Sequence, residues 1–206
     1  MGDSPKEAIT SIMTRLGRPL IVGVDEVGRG CLAGPVVAAA VGLRPGFSLV
    51  GVDDSKKLSP RQRELIFAQL AKAGVSLGIG VVSAHEVDHI NILQASLKAM
   101  VKALTALRQV FDLVVVDGRQ RLPLHLPQYP LIRGDSLCLP VAVASIVAKV
   151  VRDRQMLYYD RRFPEYGFAR HKGYATVVHR RALTLHGPCA LHRRTFRCKI
   201  VEGDES

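Results

Sequence analysis

The sequence contains no C-x-x-C pair. Its four cysteines, Cys31, Cys138, Cys189 and Cys198, form no regular framework, which excludes a disulfide-stapled scaffold and fits thiols that stay reduced. Long apolar runs are missing too: the longest, Pro35 to Leu43, falls far short of the roughly 20 residues that cross a bilayer. The leader MGDSPKEAITSIMTRLGRP has no apolar core followed by a small-residue cleavage site, so no secretory signal is expected. There is no internal repeat and no low-complexity linker. These absences predict a cytoplasmic protein with no membrane attachment.

Acid is in short supply as well. Asp and Glu number 18 against 29 Lys and Arg, a net charge of +11. Such an excess points to a polyanionic partner, attracted through its phosphates and released counterions. With 206 residues and 48% hydrophobic content the chain supports one sizeable core. A single domain over 1–206 is expected: core sheet and helices over about 20–163, a basic helical segment over about 164–200, and a flexible tail at 201–206.

Local signals give the order of elements. SPKEAITSIMTRLG, with Ser4, Pro5 and Glu7 at its start and Gly17 at its end, predicts a short amphipathic helix. Leu20 to Glu26 and Pro35 to Leu43 read as strands joined closely enough for an antiparallel hairpin. A helix from Ser59 to Gly74 follows, then a strand over Val75 to Ser83 and a helical region opened by Ser83 and Glu86. LVVVDG, Leu113 to Gly118, is apolar enough to be a strand covered on both faces. RQRLPLHLPQYP reads as a proline-rich loop, LIRGD as a short fifth strand, and Leu139 to Phe163 as a long helix. One more helix is expected around Thr176 to Leu185. The fold class is α/β, a mixed sheet led by a hairpin.

The few acids fall in telling places. Asp25, Glu26 and Asp117 sit where apolar strands end, and a buried carboxylate must be paired, protonated or bound to metal. If the first and fourth strands are neighbours, the three meet at one sheet edge, and Asp135 can join them. Four acids together repel unless cations hold them, and hard oxygen donors favour Mg²⁺ or Mn²⁺ over zinc. His186, Cys189, His192 and Cys198 also cluster, but their spacing fits no common zinc pattern. In a regular strand Asp25 and Glu26 point to opposite faces, so reaching one metal cluster requires the strand to end or distort there. Gly28 and Gly30 permit that departure and let a ligand approach the backbone amides, while Arg29 offers a phosphate its fork. No Ser/His/Asp arrangement with a nucleophile elbow is present.

Taken singly these features are ordinary, but GVDEVGRGCLAGPVVAAAV, DDSKKLS, VVVDG, GDS...VAVASIVAKVVRDR, HKGYAT..H and HGPCALHRRTF occur together and in order. In that combination the chain resembles the type 2 ribonucleases H (ribonuclease HII) from about Leu20 to Phe196. Ala175 stands where the family often has proline and Val143 where it often has alanine, and neither departure touches an acid.

The resemblance implies a ribonuclease H-like mixed five-stranded sheet flanked by helices. It implies an endoribonuclease that cuts the RNA strand of RNA/DNA hybrids and nicks 5′ of single ribonucleotides in duplex DNA, leaving 3′-hydroxyl and 5′-phosphate ends. Asp25, Glu26, Asp117 and Asp135 match the family's metal-binding acids, Asp135 on the least regular segment. Two divalent ions about 3.5 to 4 Å apart then do the chemistry without a side-chain nucleophile. Gly28, Arg29 and Gly30 match the turn that contacts the 2′-hydroxyl, the group that distinguishes RNA from DNA. Tyr174 matches the tyrosine that packs on the sugar after the ribonucleotide and favours deoxyribose there. Lys56 and Lys149 are candidate phosphate contacts, and Arg193, Arg194 and Arg197 extend the grip by charge alone.

A monomer is expected, with any replication partner for the C-terminal segment left open. The rival reading is a non-catalytic basic nucleic-acid-binding module, which explains the charge but leaves the acids among apolar residues without a purpose. A type 3 ribonuclease H is disfavoured because only some 19 residues precede the first strand, leaving no room for that family's N-terminal substrate-binding domain.

Overall fold

The computed structural model describes residues 20–49 and 58–197, with Ser11 and Val52 as single positions. The helix predicted over Ser4 to Gly17, apart from Ser11, lies outside the described residues, as do Lys56, Cys198 and the tail at 201–206.

Five strands form one mixed sheet: β1 (Ile21–Val27), β2 (Val36–Leu43), β3 (Ser76–Val82), β4 (Leu113–Asp117) and β5 (Gln128–Leu131). Their spatial order is β3-β2-β1-β4-β5. β1 to β3 run as an antiparallel meander, whereas β4 lies parallel to β1 and β5 parallel to β4. The hairpin and the apolar β4 are therefore as the sequence predicts. The fifth strand is displaced from its expected place: QYPL forms it, while GDSL after Arg133 winds into a helical turn. The proline that argued for loop is tolerated because β5 is the edge of the sheet.

The helices are α1 (Pro60–Lys72), α2 (Ala84–Ala106), α3 (Gly134–Leu137), α4 (Leu139–Arg162), α5 (Phe168–His171) and α6 (Val177–His186). Ser59 and Gln62 close a capping box at the start of α1, and Ser83 caps α2. Asn91 kinks α2, its side chain accepting from the amides of Leu93 and Gln94 and so capping the second half. Among the described residues no helix is long and apolar enough to cross a membrane.

Alternation along the strands loads both faces of the sheet. Val22, Val24, Val36, Ala38, Val114 and Val116 pack on one face against Ala95, Ala99 and Ala103 of α2. Ala39 and Val41 pack on the other against Val143, Val147, Ile66 and Leu70 of α4 and α1. Small residues bring these helices very close. A β-carbon on Gly23 would stand 2.1 Å from the Pro140 carbonyl carbon, so the start of α4 lies directly on β1. The C-terminal segment builds a satellite core of Ala33, Met156, Tyr166 and Phe168. A bridge between Ala33 and His192 ties it to the stretch after β1.

Candidate active site

β1 and β4 pair in parallel up to Val24 and Val116, so Asp25 and Asp117 follow side by side at the ends of the paired stretch. Both belong to the alternating set that faces α4. Asp25 is only 5% exposed. Its Oδ1 accepts from the Glu26 amide at 2.7 Å, and the Ser145 hydroxyl of α4 also donates to it. Burial, and then the charges of Glu26 and Asp117, push the Asp25 carboxyl well above the usual carboxylate range.

Glu26 falls on the opposite alternation, as the sequence predicts, yet β1 stays regularly paired with β2 through Val27. The strand needs no distortion for Glu26 to feel Asp117, because both stand at the same edge. Burial pushes the Glu26 carboxyl up despite the pull of Arg29, whose Nη1 donates to Oε1 at 3.0 Å. The other oxygen, Oε2, is buried without a hydrogen-bond partner.

Asp117 accepts the Gly134 amide on Oδ1 at 2.7 Å. That bond carries α3, and with it buried Asp135, to the end of β4. Asp135 borders a cleft of about 320 Å³ with Phe47, Ser48 and Leu139. Glu26 opens onto another of about 300 Å³, lined also by Arg63, Ser145, Lys149 and Tyr174.

The donor set suits a hard divalent cation. Among the described residues no three His, Cys, Asp or Glu side chains are gathered tightly enough to hold an ion as they stand. The carboxylates are neighbours engaged with other partners, Glu26 with Arg29 and Asp117 with Gly134. Even so, an orphaned buried oxygen on Glu26 and a carboxyl on Asp25 raised by burial and then by its neighbours' charge are what a bound cation would relieve.

The Gly-Arg-Gly turn follows directly. Gly28 has φ +97°, and a β-carbon there would meet the Arg152 Nε at 2.4 Å and the Pro35 carbonyl at 2.7 Å. Arg29 is exposed, and a β-carbon on Gly30 would meet nothing within 4 Å, leaving that side open to a ligand.

Two buried arginines lie behind, Arg193 holding this turn and Arg152 the stretch that follows it. Arg152 donates to the carbonyls of Pro35, Ala33 and Lys172. Arg193 donates to those of Gly28, Arg29 and Gly34 at 2.7 to 3.2 Å. The expectation that Arg193 extends the grip on a duplex is corrected: it is 3% exposed and spends every donor group on the protein's own backbone. Arg194 and Arg197 are exposed.

Tyr174 is partly exposed, with Lys149 Nζ at 5.9 Å and the Arg152 guanidinium at 5.8 Å from its ring centre, and its hydroxyl meets Cys31. Lys149 pairs with Asp153 at 2.6 Å. Of the residues proposed from sequence, Glu26, Lys149 and Tyr174 thus share one cleft, Asp25 and Asp117 lie beside it, and Asp135 borders the next. Nothing in the sequence alone assigns a role to Ser145, Arg152, His171 or His179. All four lie inside family-like motifs, and a polar residue within an otherwise apolar motif is the signal that flags them.

The His186, Cys189 and His192 group is spoken for by other contacts. His192 Nε2 lies 3.0 Å from His179 Nε2, and Nδ1 accepts from the Cys189 amide at 3.0 Å, while His186 lies edge-on to Tyr166.

A mixed sheet in this order, with carboxylates at the ends of its two central parallel strands, defines a ribonuclease H-like nuclease. Comparison with known proteins narrows this further. The Ribonuclease HII family model matches residues 22–199. Ribonuclease HII of Syntrophotalea carbinolica is 56% identical over 185 residues, covering 90% of this chain and 88% of its own. The ribonuclease H2 of Pyrococcus horikoshii OT3 superposes with TM-score 0.71 at 27% identity, over 85% of this chain and 93% of that one. The RNase HII of Archaeoglobus fulgidus, solved in complex with PCNA, gives TM-score 0.73 at 25% identity, over 87% and 96%. The chain belongs to the ribonuclease HII family, divalent-metal-dependent endoribonucleases that degrade RNA in RNA/DNA hybrids.

Proposed function

We propose that this chain, besides cutting hybrids, nicks duplex DNA 5′ of a single embedded ribonucleotide, and that Asp25, Glu26, Asp117 and Asp135 hold two divalent ions, Mg²⁺ or Mn²⁺, for the purpose. The observation that carries the reading is the buried Asp25 carboxyl, set against Glu26 and Asp117 in a chain that otherwise has an excess of positive charge.

When bound, a pair of divalent ions activates the attacking water, orients the scissile phosphate and stabilises the leaving oxygen. The protein's part is to hold and to select. Ser145 and the Glu26 amide fix the Asp25 carboxylate, and the Gly134 amide fixes that of Asp117, so neither must reorganise when substrate arrives. The turn of Gly28, Arg29 and Gly30 offers backbone to the 2′-hydroxyl, supported by the open side of Gly30 and by Arg193, which holds the carbonyls of Gly28 and Arg29. Tyr174 packs against the sugar that follows, supported by its exposed ring above the cleft that Glu26 lines. Lys149 and Lys56 take flanking phosphates, Lys149 by exchanging Asp153 for phosphate oxygen.

The reading includes one catalytic domain acting as a monomer in the cytoplasm, in keeping with free thiols at Cys31, Cys138 and Cys189. The Archaeoglobus fulgidus relative is in complex with PCNA, so a partner of that kind is the first to seek.

The test is a nicking assay on a DNA duplex bearing one ribonucleotide, with and without Mg²⁺, with the cut mapped. Metal-dependent cleavage on the 5′ side supports the proposal. Binding without cleavage in either condition leaves the basic binding module in its place.

A further inference from the structure

We propose that His171 and His179 are positioning residues which, as links in a chain of buried neutral imidazoles, fix the Tyr174 loop and thereby set the preference for a ribonucleotide followed by deoxyribose. The inference rests on the reading of Tyr174 given above.

The segment Lys172-Gly173-Tyr174 makes a tight turn: Lys172 has φ +51° and Gly173 φ +85°. A β-carbon on Gly173 would meet the Ala33 carbonyl oxygen at 2.3 Å, so the turn is pressed onto the stretch that follows Gly-Arg-Gly. Its carbonyl accepts from Leu32 at 2.8 Å. On the other side the turn hangs from imidazoles. His171 Nδ1 accepts from the Gly173 amide at 3.2 Å, and His179 Nδ1 lies 2.9 Å from the Tyr174 carbonyl.

The backbone partners leave one way to place the protons. Amides can only donate and carbonyls only accept. His171 therefore carries hydrogen on Nε2, donating to the Tyr166 carbonyl at 2.7 Å, because Nδ1 receives Gly173. His179 carries hydrogen on Nδ1, for Tyr174, and its Nε2 accepts. His192 supplies that hydrogen from Nε2 at 3.0 Å, since its own Nδ1 receives the Cys189 amide. Each ring has one hydrogen and one lone pair, and both are used. The rings of His171 and His179 stack at 4.2 Å, with Phe168 edge-on to both.

The rings are buried and touch no cleft that Glu26 lines. They act on substrate only through where they hold Tyr174. A residue that positions the junction reader should matter more for one kind of substrate than for another.

The experiment compares His179→Asn, whose short amide places a donor near the Nδ1 position, with His179→Gln, whose longer amide serves the Nε2 position instead. Both are assayed, alongside Tyr174→Ala, on a duplex with one ribonucleotide and on an all-RNA/DNA hybrid. Tyr174→Ala is expected to lower the single-ribonucleotide rate relative to the hybrid rate by about tenfold. His179→Gln should lower the ratio similarly, and His179→Asn should restore it to within about twofold. His179→Gln added to Tyr174→Ala should cost nothing more in the ratio. An unchanged ratio in His179→Gln where Tyr174→Ala changes it overturns this inference alone. An unchanged ratio in Tyr174→Ala overturns the reading of Tyr174 and this inference with it.

Discussion

The backbone amide of Gly134 donates to Oδ1 of Asp117 across 2.7 Å, joining residues 17 apart in sequence. The carboxylate at the end of β4 is thereby the attachment point for α3, where Asp135 stands. One side chain serves both the fold and the proposed metal site.

Replacing Asp117 with Asn separates those two roles. The amide oxygen of Asn still accepts the Gly134 amide, while the negative charge is gone. Cleavage is expected to fall by at least about 100-fold, with circular dichroism, melting temperature and duplex affinity near wild type. Gel-based cleavage beside a binding titration checks this, and full activity in the variant removes Asp117 from the metal site.

Asp25 shows the reverse relation between stability and activity. Its carboxyl is raised by burial and by its acidic neighbours, so above that raised range the folded protein must ionise a group that resists ionisation. Asp25→Asn, measured at pH 8 without divalent metal, should raise the melting temperature by about 2–4 °C for each kcal/mol relieved. The same variant should be inactive. A lower melting temperature would mean that the Ser145 and Glu26 contacts outweigh the burial cost.

Arg193 and Arg194 are neighbours with opposite fates. Arg193→Met leaves the carbonyls of Gly28, Arg29 and Gly34 without their donor and should cost about 2–4 kcal/mol in urea unfolding. Arg194 is exposed, and Arg194→Ala should stay within about 0.5 kcal/mol of wild type. Equal effects at the two positions would refute the buried role of Arg193.

Acid should loosen the C-terminal segment. Burial lowers the His179 pKa to about 4, and those of His171 and His192 are lowered too. The unfolded chain therefore binds these protons more readily than the folded one. The stabilisation is complete above the ordinary value of 6.5 and is lost as pH falls toward 4. Other charges bear on the same rings: Asp160, Arg170 and Lys172 act on His171. The raised carboxyls of Asp25 and Glu26 work in the opposite direction, so the comparison is between wild type and His179→Asn. Wild type should lose more melting temperature between pH 6.5 and 4 than the variant, and parallel curves would contradict the neutral-imidazole chain.

Much of this architecture is legible locally. Apolar runs such as LVVVD and capping serines such as Ser59 and Ser83 state their structure within a few residues, and the structure follows them. β5 is not legible locally because Pro123, Pro127 and Pro130 read as loop, and only the finished sheet reveals that Gln128–Leu131 lies at its edge. The acids were legible because a carboxylate in an apolar strand demands an explanation. Arg193 is hidden for the opposite reason: an arginine in a basic stretch looks solvated, and the carbonyls that bury it come from residues 159 to 165 positions away. His179 gave no local signal, since its partners, Tyr174 and His192, assemble only when the C-terminal segment packs.

The bond from Arg193 to the Gly28 carbonyl also orders events during synthesis. A growing chain makes the turn after β1 early, yet Arg193, 165 positions further on, leaves the ribosome long afterwards. Until then the carbonyls of Gly28, Arg29 and Gly34 lack the donor that holds them in the folded chain, so a chain stopped short of Arg193 presents this turn without that support.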